Sequence, residues 1–394
     1  MLVYYINLAL ILVLAYPLCI YKPAPWKKLV YLSIEFLYLW FLATFRSGIG
    51  FDFQSYINIF ADVKAAANPL DLMSAGLEPG FLLLNKLMSF FVSSPTVMYG
   101  IYAFLTLAPI FWFLYKYCRD AWFSAWLYAT LTFFYTTMNF IRQGLACSVV
   151  VLSYKFLKEK KPIPYIIIIL LAASFHKTAL IMIPLYFFVH YKLTWRRGAI
   201  YAGLTLAAYL TSAFIVDIVT DYIFTGYKGS IWLTEGFPLH FIFIPAAVFG
   251  TCLALKWAWE KRDPDATMLL NLMMFTAIVW VFITRHFILE RFSMYMYIFV
   301  LVAIPSALES LKAGQPVLDK HRQLAEDIKN KKTKASKEQL AELAALAQNI
   351  KDHKKYYWCA VAGVLIVTFI YHDYGGNVNG FHGVFPYQSV FPWL

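Results

Sequence analysis

The chain has 394 residues, 61% of them hydrophobic and only 14% charged, against roughly 45–50% and about 25% in soluble domains. That composition excludes a soluble globular enzyme and, at about 20 residues per crossing, leaves room for about twelve membrane spans. A net charge of +12 would point a soluble protein toward nucleic acid, but in a membrane protein it first reports orientation.

In chain order, apolar runs begin at Leu2, Leu29, Val97, Ala121, Ile141, Ile163, Thr178, Gly198, Leu239, Ala266, Phe292 and Tyr356. The first has no basic leader and no small-residue cleavage site, so it reads as a retained span. The breaks at Lys22–Lys28, Lys116–Arg119, Lys155–Lys161, Lys192–Arg197, Lys256–Arg262 and Lys312–Lys355 are basic and belong in the cytoplasm by the positive-inside rule, which turns both termini outward. The expected fold is an all-α polytopic membrane protein of about twelve spans. Residues 1–311 form the membrane domain, 312–355 a basic cytoplasmic linker, 356–372 the last span and 373–394 an outer aromatic tail.

Within the membrane domain an outer loop, 46–80, precedes the run Phe81–Val92, which Asn85 and Lys86 interrupt; its length suits a re-entrant or interfacial segment. The runs Ile163–Phe175 and Thr178–His190 are short and meet at His176-Lys177, which predicts a polar turn lining an indented outer cavity. In the linker, Lys and Arg outnumber acids eleven to six, and Leu340, Leu343, Leu346 and Ile350 recur at helical spacing. This predicts an amphipathic helix on the anionic inner leaflet or a docking site for a cytosolic partner. No fixed-period repeat is evident, and five isolated cysteines offer neither a disulfide framework nor a metal site.

The outer side then collects Arg46, Asp52, Glu78, Arg142, His176, Lys177, Arg285, His286, Glu290 and Arg291. Charges beside a membrane core are costly and are functional candidates by default; snorkelling to the headgroups is the bland alternative for each arginine. Arg46-Ser-Gly-Ile-Gly-Phe-Asp52 joins a cation, two glycines and a carboxylate, suiting a phosphate site or a turn closed by an Arg–Asp pair. Arg142 opens a helix, where a cation opposes the dipole unless an anion shares the site. His176 has a side chain suited to proton transfer at neutral pH and equally to a structural hydrogen bond. Arg285, His286, Glu290 and Arg291 suit a ligand or a self-satisfied ion-pair network, with Tyr295 one turn from Arg291.

The ordered set Arg46-Ser-Gly-Ile-Gly-Phe-Asp52 with Tyr56, Glu78-Pro-Gly-Phe, Ile141-Arg142-Gln143-Gly, Phe175-His176-Lys177-Thr and Arg291-Phe-Ser-Met-Tyr295 resembles the EpsG-like branch of the Wzy-type bacterial polysaccharide polymerases, over roughly Leu29 to Pro305. The resemblance implies a cytoplasmic-membrane glycosyltransferase similar to the C-type fold, with its active site outward. It would join undecaprenyl-diphosphate-linked oligosaccharides into O-antigen, capsule or exopolysaccharide, without cofactor, metal or nucleic acid. A chain-length regulator is a further candidate partner. Diphosphate departure calls for fixed cations, a demand that Arg46, Arg142, Arg291 and Arg285 meet. His176, Asp52 and Glu78 are the candidate bases, with His176 preferred and a carboxylate beside Arg better suited to orienting. Gln143, Lys177, Tyr295 and Tyr56 are the candidate substrate contacts.

A flippase of the same lipid would share the cationic cavity, but repeated halves and midplane polar groups are lacking. A membrane O-acyltransferase fits the outward arginines poorly, whereas a polysaccharide ligase differs little at this level. The tail carries Tyr374, Phe381, Phe385, Tyr387, Phe391 and Trp393, rings suited to an interfacial belt or to sugar stacking.

Overall fold

The computed structural model describes residues 2–214, 236, 238–330, 336–380 and 382–391. These residues form helices α1 (Leu2–Ala15), α2 (Pro25–Phe45), α3 (Phe53–Ala65), α4 (Pro79–Ser89), α5 (Pro95–Tyr117), α6 (Ala121–Thr130), α7 (Phe133–Asn139), α8 (Ile141–Val150) and α9 (Tyr154–Lys158). The order continues with α10 (Pro162–Ala173), α11 (Met182–Phe188), α12 (Trp195–Leu210), α13 (Phe243–Glu260), α14 (Ala266–Ile283), α15 (Glu290–Tyr297), α16 (Val300–Glu309), α17 (Gln315–Asn330) and α18 (Lys337–Tyr374). No strand occurs among the described residues.

A helical segment falls on each of the twelve expected apolar runs, but fewer have full crossing length. Among the described residues six helices are long and apolar enough to cross a membrane, and the pair Phe287–Tyr297 and Val300–Glu309, bent by 53°, would make a seventh. The protein is therefore membrane-embedded, with several shorter apolar helices packed among the long ones. The stretch from α6 to α8 is broken because Thr132 takes a left-handed φ of 70° and Phe140 leaves the helical region, so three short helices stand where two long runs were expected, the last continuing through a 3-10 turn into α9. Pro162–Ala173 and Lys177–Phe188 are likewise short apolar helices meeting at His176, as their lengths predict.

The long helices carry their basic residues at one end. α2 begins at Pro25 beside Lys27 and Lys28, α5 finishes on Lys116 and Tyr117, and α10 begins directly after Lys161. Lys28 ties two of these ends together by donating to the Cys118 carbonyl at 2.5 Å. The opposite ends of α2, α5 and α10 lead to Arg46, Ser94 and His176. There α3, α4, α5 and α8 enclose a second, aromatic-rich core containing Tyr56, Phe81, Tyr99, Tyr102 and Ile141.

Two features differ from the expected domain plan. A single helix, α18, runs unbroken across the boundary between the basic linker and the last span, because Lys354 and Lys355 add charge without a helix breaker. Its first half pairs with α17, including a Lys320–Glu342 bridge at 2.7 Å, and its Ser336 and Gln339 form a reciprocal N-terminal cap. The tail, moreover, folds back over the Phe45–Phe51 loop. Ser47, Gly50 and Phe51 N–H groups donate to the carbonyls of Gln388, Gly383 and His382 at 2.9, 2.8 and 3.1 Å, and Val390 donates to Phe45 at 2.9 Å. Tyr4 and Tyr387 hydroxyls brace it through Val384 and Leu42 carbonyls, each at 3.0 Å. The Phe385 and Tyr387 rings are consequently packed within the protein, not laid out as a belt; Phe381 and Trp393 lie outside the described residues.

α4 is fixed by close backbone approach. Pro79 opens it with the right φ, and the Gly80 N–H donates to the Ser174 carbonyl at 2.8 Å. A Cβ on Gly80 would stand 2.2 Å from Ser174 Oγ and 2.8 Å from the Ser174 carbonyl oxygen. Gly80→Ala is therefore expected to cost about 1–3 kcal/mol by overpacking, read as a lower Tm of the purified protein. Ser174→Ala should fail to rescue it, since the carbonyl remains; full rescue would contradict the backbone contact.

Candidate active site

Glu78 precedes Pro79 at the N-cap of α4, yet its carboxylate makes no capping bond. It turns instead toward two other segments. Arg142 Nη1 donates to Glu78 Oε2 at 2.6 Å, His176 Nδ1 lies 3.0 Å from Oε1, and the Lys177 backbone N–H donates to Oε1 at 3.3 Å. The side chains of Glu78 and His176 are only 7% and 8% exposed, and that of Arg142 23%. Arg142 also donates to the Gly76 carbonyl at 3.3 Å, closing the loop ahead of α4.

Burial alone would push the Glu78 carboxyl up, but the His176 hydrogen bond and the Arg142 charge overcome it and hold it down at about 2. Burial draws the His176 imidazole below its ordinary value, outweighing the Glu78 hydrogen bond, and Arg142 and Arg291 act in the same direction. The pair is therefore an ionised carboxylate and a neutral imidazole. With Nδ1–H donated to Glu78, Nε2 carries the lone pair, and it makes no hydrogen bond to a described residue.

Asp52 sits at the N-cap of α3, and its own N–H is held by Asn139 Oδ1 at 3.0 Å. Its carboxylate forms no hydrogen bond or ion pair with a described residue. Burial pushes its pKa up, while the charges of Arg291, Arg142 and His382 pull against that rise. The charges of Arg142 and Arg291 thus act on both Asp52 and His176. Arg291 is anchored through its backbone, whose carbonyl accepts from Gln143 Nε2 at 3.0 Å, joining α8 to α15. Tyr56 Oη receives the Arg142 N–H at 3.5 Å, and Tyr295 Oη meets Thr178 Oγ1 at 3.0 Å. Gln143, Tyr56 and Tyr295 each tie neighbouring segments together around these groups. Lys177 contributes its backbone, with an exposed side chain.

Two expected cations are directed elsewhere. Arg46 is 4% exposed, with its guanidinium 4.5 Å from the Tyr99 ring centre and 5.9 Å from that of Phe53, on the wall of a small cavity shared with Tyr102 and Thr106. The aromatic faces take the guanidinium inward. Arg285 donates to the Tyr209 carbonyl at 2.9 Å and lies over the Tyr209 ring, closing the C-terminal turn of α12. Neighbouring His286 Nε2 pairs with Ser212 Oγ at 3.1 Å. Three participants were missing from the sequence reading: Asn139, Thr178 and His382. Asn139 and Thr178 stand inside the motifs of Arg142 and His176, but their polar side chains look like ordinary helix-end residues.

The chain matches the EpsG family over residues 29–315, more than half its length. No curated protein and no solved structure matches it. The matched region contains the Glu78, Arg142, His176, Asp52 and Arg291 constellation and stops short of α18 and the tail. The chain belongs to the EpsG family, a family of Wzy-like polysaccharide polymerases.

Proposed function

We propose that the protein polymerises polysaccharide at the outer face of the bacterial cytoplasmic membrane, passing a growing glycan from undecaprenyl diphosphate to a sugar hydroxyl of the next carrier-linked repeat unit. The observation that carries this reading is the shared Glu78 carboxylate, which presents Arg142 and a neutral His176 side by side. The outward orientation is supported by the basic helix ends lying opposite the site. About twelve crossings, with the shorter helices completing the long ones, and a resemblance to the C-type glycosyltransferase fold belong to the same proposal.

In this mechanism the acceptor hydroxyl oxygen attacks the anomeric carbon of the growing chain as the bond from that carbon to the diphosphate oxygen breaks. The electron pair leaves with the carrier diphosphate, where Arg142 and Arg291 offset the growing negative charge. The hydroxyl proton passes to His176 Nε2, and Glu78 stabilises the resulting imidazolium through Nδ1–H. Asp52 accepts hydrogen bonds from sugar hydroxyls near the reacting centre.

Arg142→Ala should lower polymer formation by at least about 100-fold while single repeat units still reach the cell surface. A normal ladder of long chains in that variant would sink the assignment. Because the arginines supply the charge compensation in this scheme, elongation by purified protein is expected to continue at an unchanged rate in EDTA.

The base assignment sets a pH dependence. Activity needs neutral His176, so kcat/KM should fall on the acid side with a midpoint below 6.5. Glu78 raises the imidazole pKa; Glu78→Gln should therefore move the midpoint to still lower pH while reducing the rate. An acid limb that stays in place or moves upward in that variant would exclude the Glu78–His176 pair as its origin.

A further inference from the structure

Phe51 is 73% exposed although the backbone around it is held on both sides. Its N–H donates to the His382 carbonyl at 3.1 Å, and that of Gly50 to the Gly383 carbonyl at 2.8 Å. One side of the Phe51 ring lies against Gly383, where a Cβ would stand 2.9 Å from two ring carbons. Gly383 also has a φ of +77°, a conformation costly for other residues. The ring is thus seated on tail backbone and leaves aromatic surface open. The next residue is Asp52, whose carboxylate is without a partner among the described residues.

The tail supplies a second wall. The His382 ring lies 4.7 Å from that of Phe140, just before Arg142, and its Nε2 is 3.5 Å from Glu290 Oε1 at the start of α15. His382 is therefore positioned by the elements that carry both Arg142 and Arg291. An open aromatic surface beside a free carboxylate matches a pyranose ring, whose C–H face packs on aromatic carbon while its hydroxyls donate to carboxylate oxygen.

We infer that Phe51 and Asp52, held in place by Gly383 and His382 of the C-terminal tail, form the acceptor-sugar subsite. The inference rests on the proposed polymerase function. The diphosphate of the donor belongs with Arg142 and Arg291, which act on both Asp52 and His176; the surface beyond Asp52 accordingly takes the acceptor. Phe51 and Asp52 touch the sugar, and Gly383 and His382 are positioning residues. The family match covers Phe51 and Asp52 and ends at residue 315, ahead of Gly383 and His382.

The test uses full-length protein in lipid nanodiscs. The donor is carrier-linked repeat unit extracted from the producing cells, and the acceptor is the same oligosaccharide released from diphosphate and bearing a short alkyl group. Phe51→Ala and Gly383→Ala should each raise the acceptor KM at least about tenfold with kcat within about threefold, and Phe51→Trp should restore it. Asp52→Asn, which leaves the loop backbone in place, should also raise the acceptor KM. An acceptor KM within twofold of the parent for both Phe51→Ala and Asp52→Asn, or a loss confined to kcat, overturns the subsite. Variants whose Tm falls by more than a few degrees are judged by Asp52→Asn and Phe51→Trp. A parent protein that elongates nothing overturns the polymerase function itself, and the subsite with it.

Discussion

The active end of the protein depends on one carboxylate shared among three stretches of chain. Glu78 accepts from the Arg142 side chain, the His176 ring and the Lys177 backbone, which sit at the start of α8 and in the turn after α10. A nearly buried ion pair adds little net stability, because desolvation offsets most of the Coulomb attraction. Its importance lies in the cost of disassembly: removing one partner strands the other charge, at about 3–5 kcal/mol. The close seat of Gly80 on Ser174 brings α4 near enough to the α10 turn for this sharing to occur.

Around Glu78 the charges divide by task. Arg142 stands at a helix start, where the dipole disfavours it, and the adjacent carboxylate compensates. Arg291 stands near the start of α15 on a backbone held by Gln143, and its charge acts on the same groups. Asp52 and His176 therefore feel the charge of the same two cations yet differ in circumstance: His176 has one nitrogen committed to Glu78, whereas the Asp52 carboxylate is without a partner among the described residues. A ring whose orientation is fixed and a carboxylate whose partners are still open differ in the same way as the two tasks proposed for them, proton removal and hydroxyl binding.

Much of this was readable in the residues. Apolar runs and basic breaks marked the helices, and Glu78, Arg142, His176, Asp52 and Arg291 stood out because charge beside a membrane core needs a reason. The directions of Arg46 and Arg285 were not readable, since each is decided by a tyrosine remote in sequence, Tyr99 or Tyr209. The broken course of α6 to α8 was hidden as well, because Thr132 and Phe140 are unremarkable by type. Continuity through Lys354 and Lys355 is hidden for the converse reason: charge suggests a boundary where helix propensity shows none.

The path of the tail left the faintest trace of all. Its attachment to the Phe45–Phe51 loop is made by backbone N–H and carbonyl groups, which every residue except proline offers in the same form. Such a seam holds position while placing few demands on side-chain identity outside Gly50 and Gly383, whose φ angles of +94° and +77° favour glycine. Around those two glycines the wall beside Asp52 consequently tolerates exchange in a way that the Glu78 cluster does not: backbone holds the one, and the side chains themselves hold the other.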